Sequence, residues 1–402
     1  MKSLFKAFIV AAALLALANS CENDYRYVPE KPDRPEVEDI DVDGEFPIIA
    51  WTGIDAKDTE AKFGPMKECG INTYLGWYAT MDEVKLALGN AEKAGVKCIV
   101  RTNDFLGKIQ TEVPQMKDFP ALLAYEVMDE PEVSDFDMLK DVVEAVGKLD
   151  PDHPCYINVY PNWAWGGAKS YASRLTQFLN KVPVTFLSFD YYPIRQTDGV
   201  RNLRPDWYYN LEDVRTVSRK FGVPFWAFAL ALSHSITDAY YPVPTVADLR
   251  LQQFSNLVYG AQAFQYFTYW GIYQAAPTPV YDRVRQVNKE IQSLAFIFKG
   301  ADVKNVWHTG SSLPNGTKAL SAMPYGVKSI TSGDEGVIVS QVEKDGKTYV
   351  AIVNKDYQKE QTVRIEFTKE YVRYDNCGYK MSALSDGSIT MEPADIAIFE
   401  IK

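Results

Sequence analysis

Two adjacent carboxyl groups at the end of an apolar segment are the residues in this sequence best suited to chemistry. The segment, residues 124–131, reads AYEVMDEP. A carboxyl group whose pKa is raised can donate a proton, and a neighbouring carboxylate raises that pKa by repulsion. Glu130 is therefore a candidate acid, with Asp129 as its partner. The same residues are also typical of a solvated helix start, where acidic residues and proline are common.

A third acidic residue follows a later apolar segment. Residues 188–193 read SFDYYP, so that Asp190 precedes two tyrosines. Cleavage of a glycosidic bond requires one carboxyl group that protonates the leaving oxygen and a second group that stabilises or attacks the developing cation. Asp190 is the candidate for the second role. A carboxyl separation of about 5 Å predicts retention of configuration, and one of about 6.5–9.5 Å predicts inversion.

Polar and aromatic residues also stand where the other predicted strands end. The chain contains 25 Tyr, 20 Phe and 8 Trp, and aromatic rings suit the apolar faces of sugar rings, although they also fill ordinary cores. Each such residue, taken alone, is equally explained by packing or by a loop contact. The candidate substrate-binding residues are Trp51, Trp77, Arg101, Asn103, Asn158, Tyr160, Tyr192, His234, Tyr269 and Trp270.

The elements that must position these residues alternate between strands and helices. Short β-branched or aromatic runs and amphipathic helical stretches follow one another from Phe46 onward, which predicts parallel βα units. The predicted strands are residues 46–53, 72–77, 97–102, 122–127, 155–160, 185–189, 225–230 and 264–269. Eight such units close into a barrel with its active site at the C-terminal strand ends. A doubly wound sheet would need a glycine-rich phosphate turn after the first strand, and none is present. We therefore predict an α/β fold of the (β/α)8 TIM-barrel type.

The pattern changes after the helix predicted for residues 281–298. The remaining chain contains short alternating strands joined by polar turns, and these predict an all-β sandwich domain. The predicted strands include residues 336–342, 348–353, 361–367 and 396–401. A chain of 402 residues accommodates a barrel of about 250 residues and a domain of about 100. We place the barrel at residues 45–300 and the sandwich at residues 301–402.

Composition excludes several classes of ligand. The net charge of −11 argues against nucleic acid, because phosphate binding needs clustered Lys and Arg. Four cysteines, at positions 69, 98, 155 and 377, show no CxxC or Cys/His spacing, and the chain has only three His. We therefore expect buried free thiols, no metal site and no cofactor.

The N-terminus has the features of an export signal. Lys2 and Lys6 precede an apolar run from residue 7 to 18, which is too short to span a bilayer as an ordinary helix. Residues 17–21 read LANSC and resemble a bacterial lipobox, which implies that Cys21 becomes lipidated. Residues 21–44 are rich in Pro, Asp and Glu and predict a flexible tether.

The acidic residues directly after Cys21 resemble the surface-export signal of Bacteroidetes lipoproteins. The resemblance implies a protein exported and anchored by lipid to the outer membrane, with residues 1–20 removed. An ordinary cleaved signal with an incidental cysteine is the alternative.

The barrel resembles the clan A glycoside hydrolases, in particular the β-galactosidase-related group. The resemblance rests on Asp129-Glu130-Pro131 after the fourth strand and extends to residues 298–301 and 387–389. It implies that Glu130 is the acid/base and that the substrate is a carbohydrate. Retaining members also carry a nucleophilic Glu at the end of the seventh strand, whereas residues 224–234 here contain no carboxylate.

Three explanations fit this missing nucleophile. Asp190 serves as base or nucleophile; or the Asp129–Glu130 pair acts as in substrate-assisted hexosaminidases, where the acetamido group of the sugar attacks; or the chain has kept glycan binding and lost catalysis. A barrel enzyme of another class would need a metal cluster, a poised Lys or a phosphate turn, and none is convincingly placed. We therefore predict an exported glycoside hydrolase.

Overall fold

The computed structural model describes residues 40–236 and 239–402. The predicted signal sequence and the lipidation residue Cys21 lie outside these residues, as does most of the predicted tether. Within the described ranges no helix combines the length and the apolar character needed to cross a membrane.

Residues 48–267 contain the strands of a closed parallel barrel. Its strands follow the order β1-β12-β9-β6-β5-β4-β3-β2 around the barrel. The strands of this part are β1 (Ile48–Trp51), β2 (Thr73–Tyr78), β3 (Lys97–Thr102), β4 (Leu122–Asp129), β5 (Cys155–Val159), β6 (Leu187–Phe189), β7 (Ile194–Thr197), β8 (Val200–Leu203), β9 (Phe225–Leu230), β10 (His234–Ile236), β11 (Ala239–Tyr241) and β12 (Ala263–Phe267). All eight predicted barrel strands are present, and the predicted TIM barrel is confirmed.

Helices connect successive barrel strands and cover the outside. They are α1 (Thr59–Glu68), α2 (Met81–Ala94), α3 (Phe105–Met116), α4 (Phe136–Leu149), α5 (Ala168–Lys181), α6 (Trp207–Phe221), α7 (Val246–Tyr259), α8 (Tyr269–Ile272), α9 (Tyr281–Ser293) and α10 (Ala295–Phe298). Helix α2 shows why the ends fall where they do. Thr80 and Glu83 form a reciprocal capping box at its start, and Gly95 adopts the left-handed conformation that ends it.

The interior of the barrel is filled by large apolar side chains. Phe186 and Trp226 stack with ring centroids 3.8 Å apart and planes 7° apart. Ile40 and Val42 belong to the same interior cluster, and Asp41 pairs with Lys299. The prediction of a tether as far as residue 44 is therefore wrong for residues 40–44. Alternation of apolar and acidic residues lets this segment cover the interior cluster while its acids stay at the surface.

A small antiparallel sheet is inserted on the strand-end side of the barrel. Its order is β10-β11-β7-β8, so it joins the connection after β6 to the connection after β9. This sheet was not predicted, because its strands are only three or four residues long. It brings Tyr241 beside Tyr192, which follows β6, and His234, which follows β9.

The C-terminal part is the predicted β-sandwich, which is confirmed. Its strands are β13 (Asp302–His308), β14 (Val327–Thr331), β15 (Val337–Lys344), β16 (Lys347–Asn354), β17 (Gln361–Phe367), β18 (Tyr371–Tyr374), β19 (Lys380–Met381), β20 (Ser388–Met391) and β21 (Ile396–Ile401). They form sheets of order β13-β15-β16-β21-β18-β19 and β14-β17-β20. The buried Arg215 of α6 fixes the sandwich to the barrel by donating to the carbonyls of Val303 and Lys304 at 2.7 and 2.9 Å.

Candidate active site

A bulge in β4 places two carboxylates on the inner face of the barrel. Side chains on a regular strand alternate between faces, so residues three apart point in opposite directions. In β4, Glu126 pairs with Tyr156 and Asp129 pairs with Asn158, with a register shift between residues 126 and 128. The extra residue restores the inward direction. Glu126 and Asp129 are therefore stacked in successive layers toward the mouth.

The buried Asn158 on β5 connects the carboxylates of two different strands. Its amide nitrogen donates to Oδ1 of Asp129 at 3.1 Å and to Oδ1 of Asp190 at 3.0 Å. The two hydrogens of a planar amide point in different directions, so one amide can hold two separate carboxylate oxygens. The structure thus brings Asp129, Asn158 and Asp190 together.

A second hydrogen-bond chain fixes the orientation of this amide. The Ser188 hydroxyl donates to Oδ1 of Asn158 at 2.9 Å, and the Gln265 amide donates to the Ser188 oxygen at 2.9 Å. The Tyr156 hydroxyl in turn donates to Oε1 of Gln265 at 2.8 Å. Because the Asn158 oxygen is engaged with a hydroxyl donor, its amino group must face the carboxylates.

Glu130 lies at the exit of β4 in a conformation unusual for a residue with a side chain. Its φ is 49°, in the left-handed region, and its N–H donates to the Asn158 carbonyl at 2.8 Å. Such a conformation costs on the order of 1–2 kcal/mol and is maintained by its surroundings. The bond to β5 therefore ties the position of Glu130 to the strand that carries Asn158.

The surroundings favour the protonated form of these acids. Burial raises the pKa of Glu130 to about 8, with further repulsion from Asp190 and then Asp129. Burial and the Asp129 charge raise the pKa of Asp190 to about 7, against the hydrogen bond from Asn158. The pKa of Asp129, which is open to solvent at the mouth, is also raised by the loss of hydration, and Asn158 opposes this rise. At neutral pH the site can therefore hold a protonated Glu130 beside an ionised Asp190.

The buried Glu126 was not identified from the sequence. It forms an ion pair with Arg101 of β3. Burial raises the pKa of Glu126 to about 7, while the Arg101 charge and hydrogen bond oppose the rise. The sequence did contain a signal for this ion pair. Glu126 is a charged residue within an apolar strand, and a buried charge requires a partner. Arg101 therefore holds the Glu126 carboxylate below the mouth.

Aromatic rings surround the carboxylates on one side of the mouth. Trp51 lies 6.0 Å from Trp77 and 5.1 Å from Phe267, measured between ring centroids. Phe267 is in turn 5.4 Å from Tyr192, two residues after Asp190. Trp51, Trp77 and Tyr192 therefore lie together, and Phe267 is an addition that the sequence did not single out.

The remaining predicted residues occupy different places. His234 stacks on Tyr241 at 4.6 Å between ring centroids, beside the aromatic group. Tyr160 is close enough to Glu130 for that charge to contribute to its raised pKa, after burial. Trp270 and Asn103 are exposed at the rim.

Tyr269 is not a surface for substrate. It begins α8 instead of ending the eighth strand, is fully buried, and donates its hydroxyl to the Lys62 carbonyl at 3.0 Å. The prediction that it binds substrate is therefore wrong. The aromatic residues from Tyr266 to Trp270 resemble a continuing strand in the sequence. The strand was therefore predicted to end at residue 269, whereas β12 ends at Phe267.

Two further observations bear on the chemistry. Across residues 40–236 and 239–402, no group of three or more His, Cys, Asp or Glu side chains is arranged to hold a metal ion. Cys69, Cys98 and Cys155 are buried free thiols, as their positions predict.

Comparison with known proteins gives structural relatives only. No protein-family model matches the sequence, and no curated protein matches it either. A family 39 glycoside hydrolase from Bacteroides cellulosilyticus is 12% identical with a TM-score of 0.53, over 91% of this chain and 83% of that one. A noncanonic maltogenic alpha-amylase from Thermotoga neapolitana is 8% identical with a TM-score of 0.50, over 89% and 99%. At these identities the likeness shows the fold.

Replacement of Arg101 by Met should make stability more dependent on pH. The folded-state pKa of Glu126 already lies above its unfolded value, so the stability that its protonated form contributes is present at low pH and is lost as pH rises toward about 7. Without Arg101 that pKa rises further and the loss continues to higher pH. The free energy of unfolding, measured in urea, should fall more at pH 8 than at pH 5.

The double variant Arg101→Met/Glu126→Gln provides the control for this prediction. It lacks the titrating group, so its deficit relative to the Glu126→Gln variant should be the same at both pH values. An Arg101→Met deficit of equal size at pH 5 and pH 8 would contradict the role assigned to the ion pair.

Proposed function

We propose that this protein is a glycoside hydrolase that cleaves O-glycosidic bonds of an oligo- or polysaccharide, with Glu130 as the general acid. The observation that carries the proposal is the Asn158 amide that holds Asp129 and Asp190 together beside Glu130. Raised pKa values at a barrel mouth are characteristic of acid–base sites. The fold is one that the two glycosidases compared above also have.

Glu130 and Asp190 take complementary roles in this proposal. Glu130, whose pKa is raised to about 8, keeps its proton at neutral pH and transfers it to the glycosidic oxygen as the bond to the anomeric carbon breaks. Asp190, with a pKa of about 7, either bonds to the anomeric carbon, forming an ester that water later cleaves while Glu130 takes the proton of that water, or takes the proton of a water molecule that itself attacks this carbon. Asp129 shares the Asn158 amide and adds charge that keeps the Glu130 proton bound.

This assignment accounts for the missing carboxylate on β9. Trp226 and Phe228 occupy inner positions of that strand. Trp226 lies against Tyr156, and Phe228 lies against Trp51. The end of β9, where retaining members of the resembled group carry a nucleophilic Glu, is Leu230, which offers no charge. The second carboxyl group is therefore supplied by β6, which carries Asp190.

Replacing Glu130 by Gln should abolish hydrolysis while the fold is retained, because Gln has the same size and no acidic proton. Product formation from a panel of oligosaccharides should fall by about 100-fold or more, the scale of general acid catalysis. In the wild type, activity should decline as pH rises through about 8, where Glu130 loses its proton. Reducing-end assays at several pH values measure both effects.

Glu144→Gln is the matched control, since Glu144 is exposed on α4 and pairs only with Lys140 at 3.7 Å. It should retain wild-type activity. A fully active Glu130→Gln variant would show that another group is the acid, whereas binding of glycan without any product from the wild type would indicate a binding protein.

Replacing Asn158 by Ala should move the acidic limb of the pH profile to higher pH. The Asn158 amide donates to the ionised forms of Asp129 and Asp190 and so lowers both pKa values. Without it, a higher pH is needed before Asp190 carries its charge. The kcat/KM profile between pH 4 and pH 9 measures the shift.

Asn305→Ala, at an exposed position on β13, is the control for this substitution. Its profile should superimpose on that of the wild type. An Asn158→Ala enzyme with reduced activity but an unmoved acidic limb would mean that Asn158 does not control the ionisation of the pair.

We also propose that the protein is exported and anchored by lipid at Cys21. Support comes from the apolar run of residues 7–18 and the LANSC sequence at residues 17–21. Replacing Cys21 by Ser should remove the lipid, so that cells fed an alkyne-bearing fatty acid no longer label the protein. Cys377→Ser is the control and should leave labelling unchanged; labelling that persists in Cys21→Ser would place the lipid elsewhere.

A further inference from the structure

A large hollow lies at the same end of the barrel as the carboxylates, on the side of β1, β2 and β12. Its volume is about 1040 Å³, and its walls come from the segments that follow β1, β2 and β12. Asp129, Glu130 and Asp190 are not among its lining residues. A volume at the upper end of the range for ligand sites, roughly 300–1,000 Å³, exceeds what one sugar ring needs.

Two exposed tryptophans line this hollow. Trp77 is 39% exposed and Trp270 is 59% exposed, and both belong to its walls. Large exposed apolar rings of this kind mark interaction sites when they are grouped rather than scattered. The flat face of an indole suits the apolar C–H face of a pyranose ring.

Trp270 is held in place despite its exposure. Gly53 adopts φ +103°, and a Cβ there would lie 3.2 Å from the Trp270 Cβ and 3.3 Å from its nitrogen. On the other side, a Cβ on Gly271 would overlap the Ala231 carbonyl oxygen. Two close backbone approaches therefore hold the backbone from which the Trp270 ring projects, so that a ligand stacking on the ring has less backbone freedom to remove.

A row of neighbouring aromatic rings connects the wall of the hollow to the candidate active site. Trp77 on its wall neighbours Trp51, which neighbours Phe267, which neighbours Tyr192, at 6.0, 5.1 and 5.4 Å between ring centroids. Arg101, the partner of Glu126, lies 5.8 Å from the Trp77 ring. The row therefore leads from the hollow to the segment that follows Asp190.

Polar groups at the edge of the hollow match the rest of a sugar. Asp55 and Lys57 are exposed on its wall, where they can accept from and donate to hydroxyl groups. Stacking faces combined with charged hydrogen-bonding groups suit a chain of neutral sugars better than a purely apolar ligand.

We propose that this hollow binds the sugar residues next to the cleaved bond. The substrate is then an oligosaccharide or polysaccharide chain, and not a single sugar attached to any kind of leaving group. The proposal rests on the proposed glycosidase function and specifies its substrate class. Trp270 provides the distal stacking surface, and the aromatic row guides the chain to Asp190.

The test compares long and short substrates of the same sugar. The probes are β-1,4-linked hexasaccharides of glucose, mannose and N-acetylglucosamine, together with the matching 4-nitrophenyl monosaccharides. Wild-type kcat/KM should be higher for a hexasaccharide than for its monosaccharide glycoside. Trp270→Ala should reduce kcat/KM for the hexasaccharide by about tenfold more than for the short substrate, the scale of one stacking contact.

Two further variants separate stacking from loss of structure. Trp270→Phe keeps an aromatic face and should restore most of the hexasaccharide activity. Tyr379→Ala removes an exposed aromatic ring from the sandwich domain and should leave the ratio of long to short substrate unchanged. Equal losses on both substrates in Trp270→Ala, or no dependence on chain length in the wild type, would overturn the proposal.

Calorimetric titration with the same hexasaccharides distinguishes this proposal from the proposed catalysis. Binding that Trp270→Ala weakens, without any product from the wild type, would retain the glycan-binding hollow and reject hydrolysis. Failure of every hexasaccharide to bind the wild type would reject the hollow as a glycan site.

Discussion

The amide of Asn158 is the constraint on which the candidate site depends. Asp129 and Asp190 come from different strands and repel one another when ionised, so nothing in their own chemistry would keep them together. A single nitrogen with two hydrogens satisfies both. Its orientation is fixed by a chain through Ser188 and Gln265, which are buried on β6 and β12. The position of the carboxylates is therefore set by the closed barrel.

This arrangement trades stability for reactivity. Four carboxyl groups lie in or near the mouth, and loss of hydration raises the pKa of each one. Such groups cost folding free energy at neutral pH, because the unfolded chain ionises more readily than the folded one. Glu130 adds the cost of a left-handed backbone. The large apolar interior, with its stacked Phe186 and Trp226, supplies the stability that offsets these costs.

The mouth itself is asymmetric. Carboxylates occupy the β4 to β6 side, while aromatic rings from β1, β2 and β12 occupy the other and continue toward the hollow. The small sheet built from β7, β8, β10 and β11 adds Tyr241 behind His234 and Tyr192. The charged side can therefore carry out the chemistry, while the aromatic side can bind the rest of a ligand.

The barrel, the sandwich and the acids that end β4 and follow β4 and β6 are predictable from the sequence, because strand and helix periodicity and the residues at strand ends are local patterns. Other features of the site depend on the folded chain. The bulge that turns Asp129 inward, the Asn158 bridge between residues far apart in the chain, the partner of Glu126 and the burial of Tyr269 all depend on which strands become neighbours. Residues 40–44 likewise read as a tether until the barrel interior gives Val42 a place to be buried. Local patterns carry no information about such long-range contacts, which exist only once the barrel has closed.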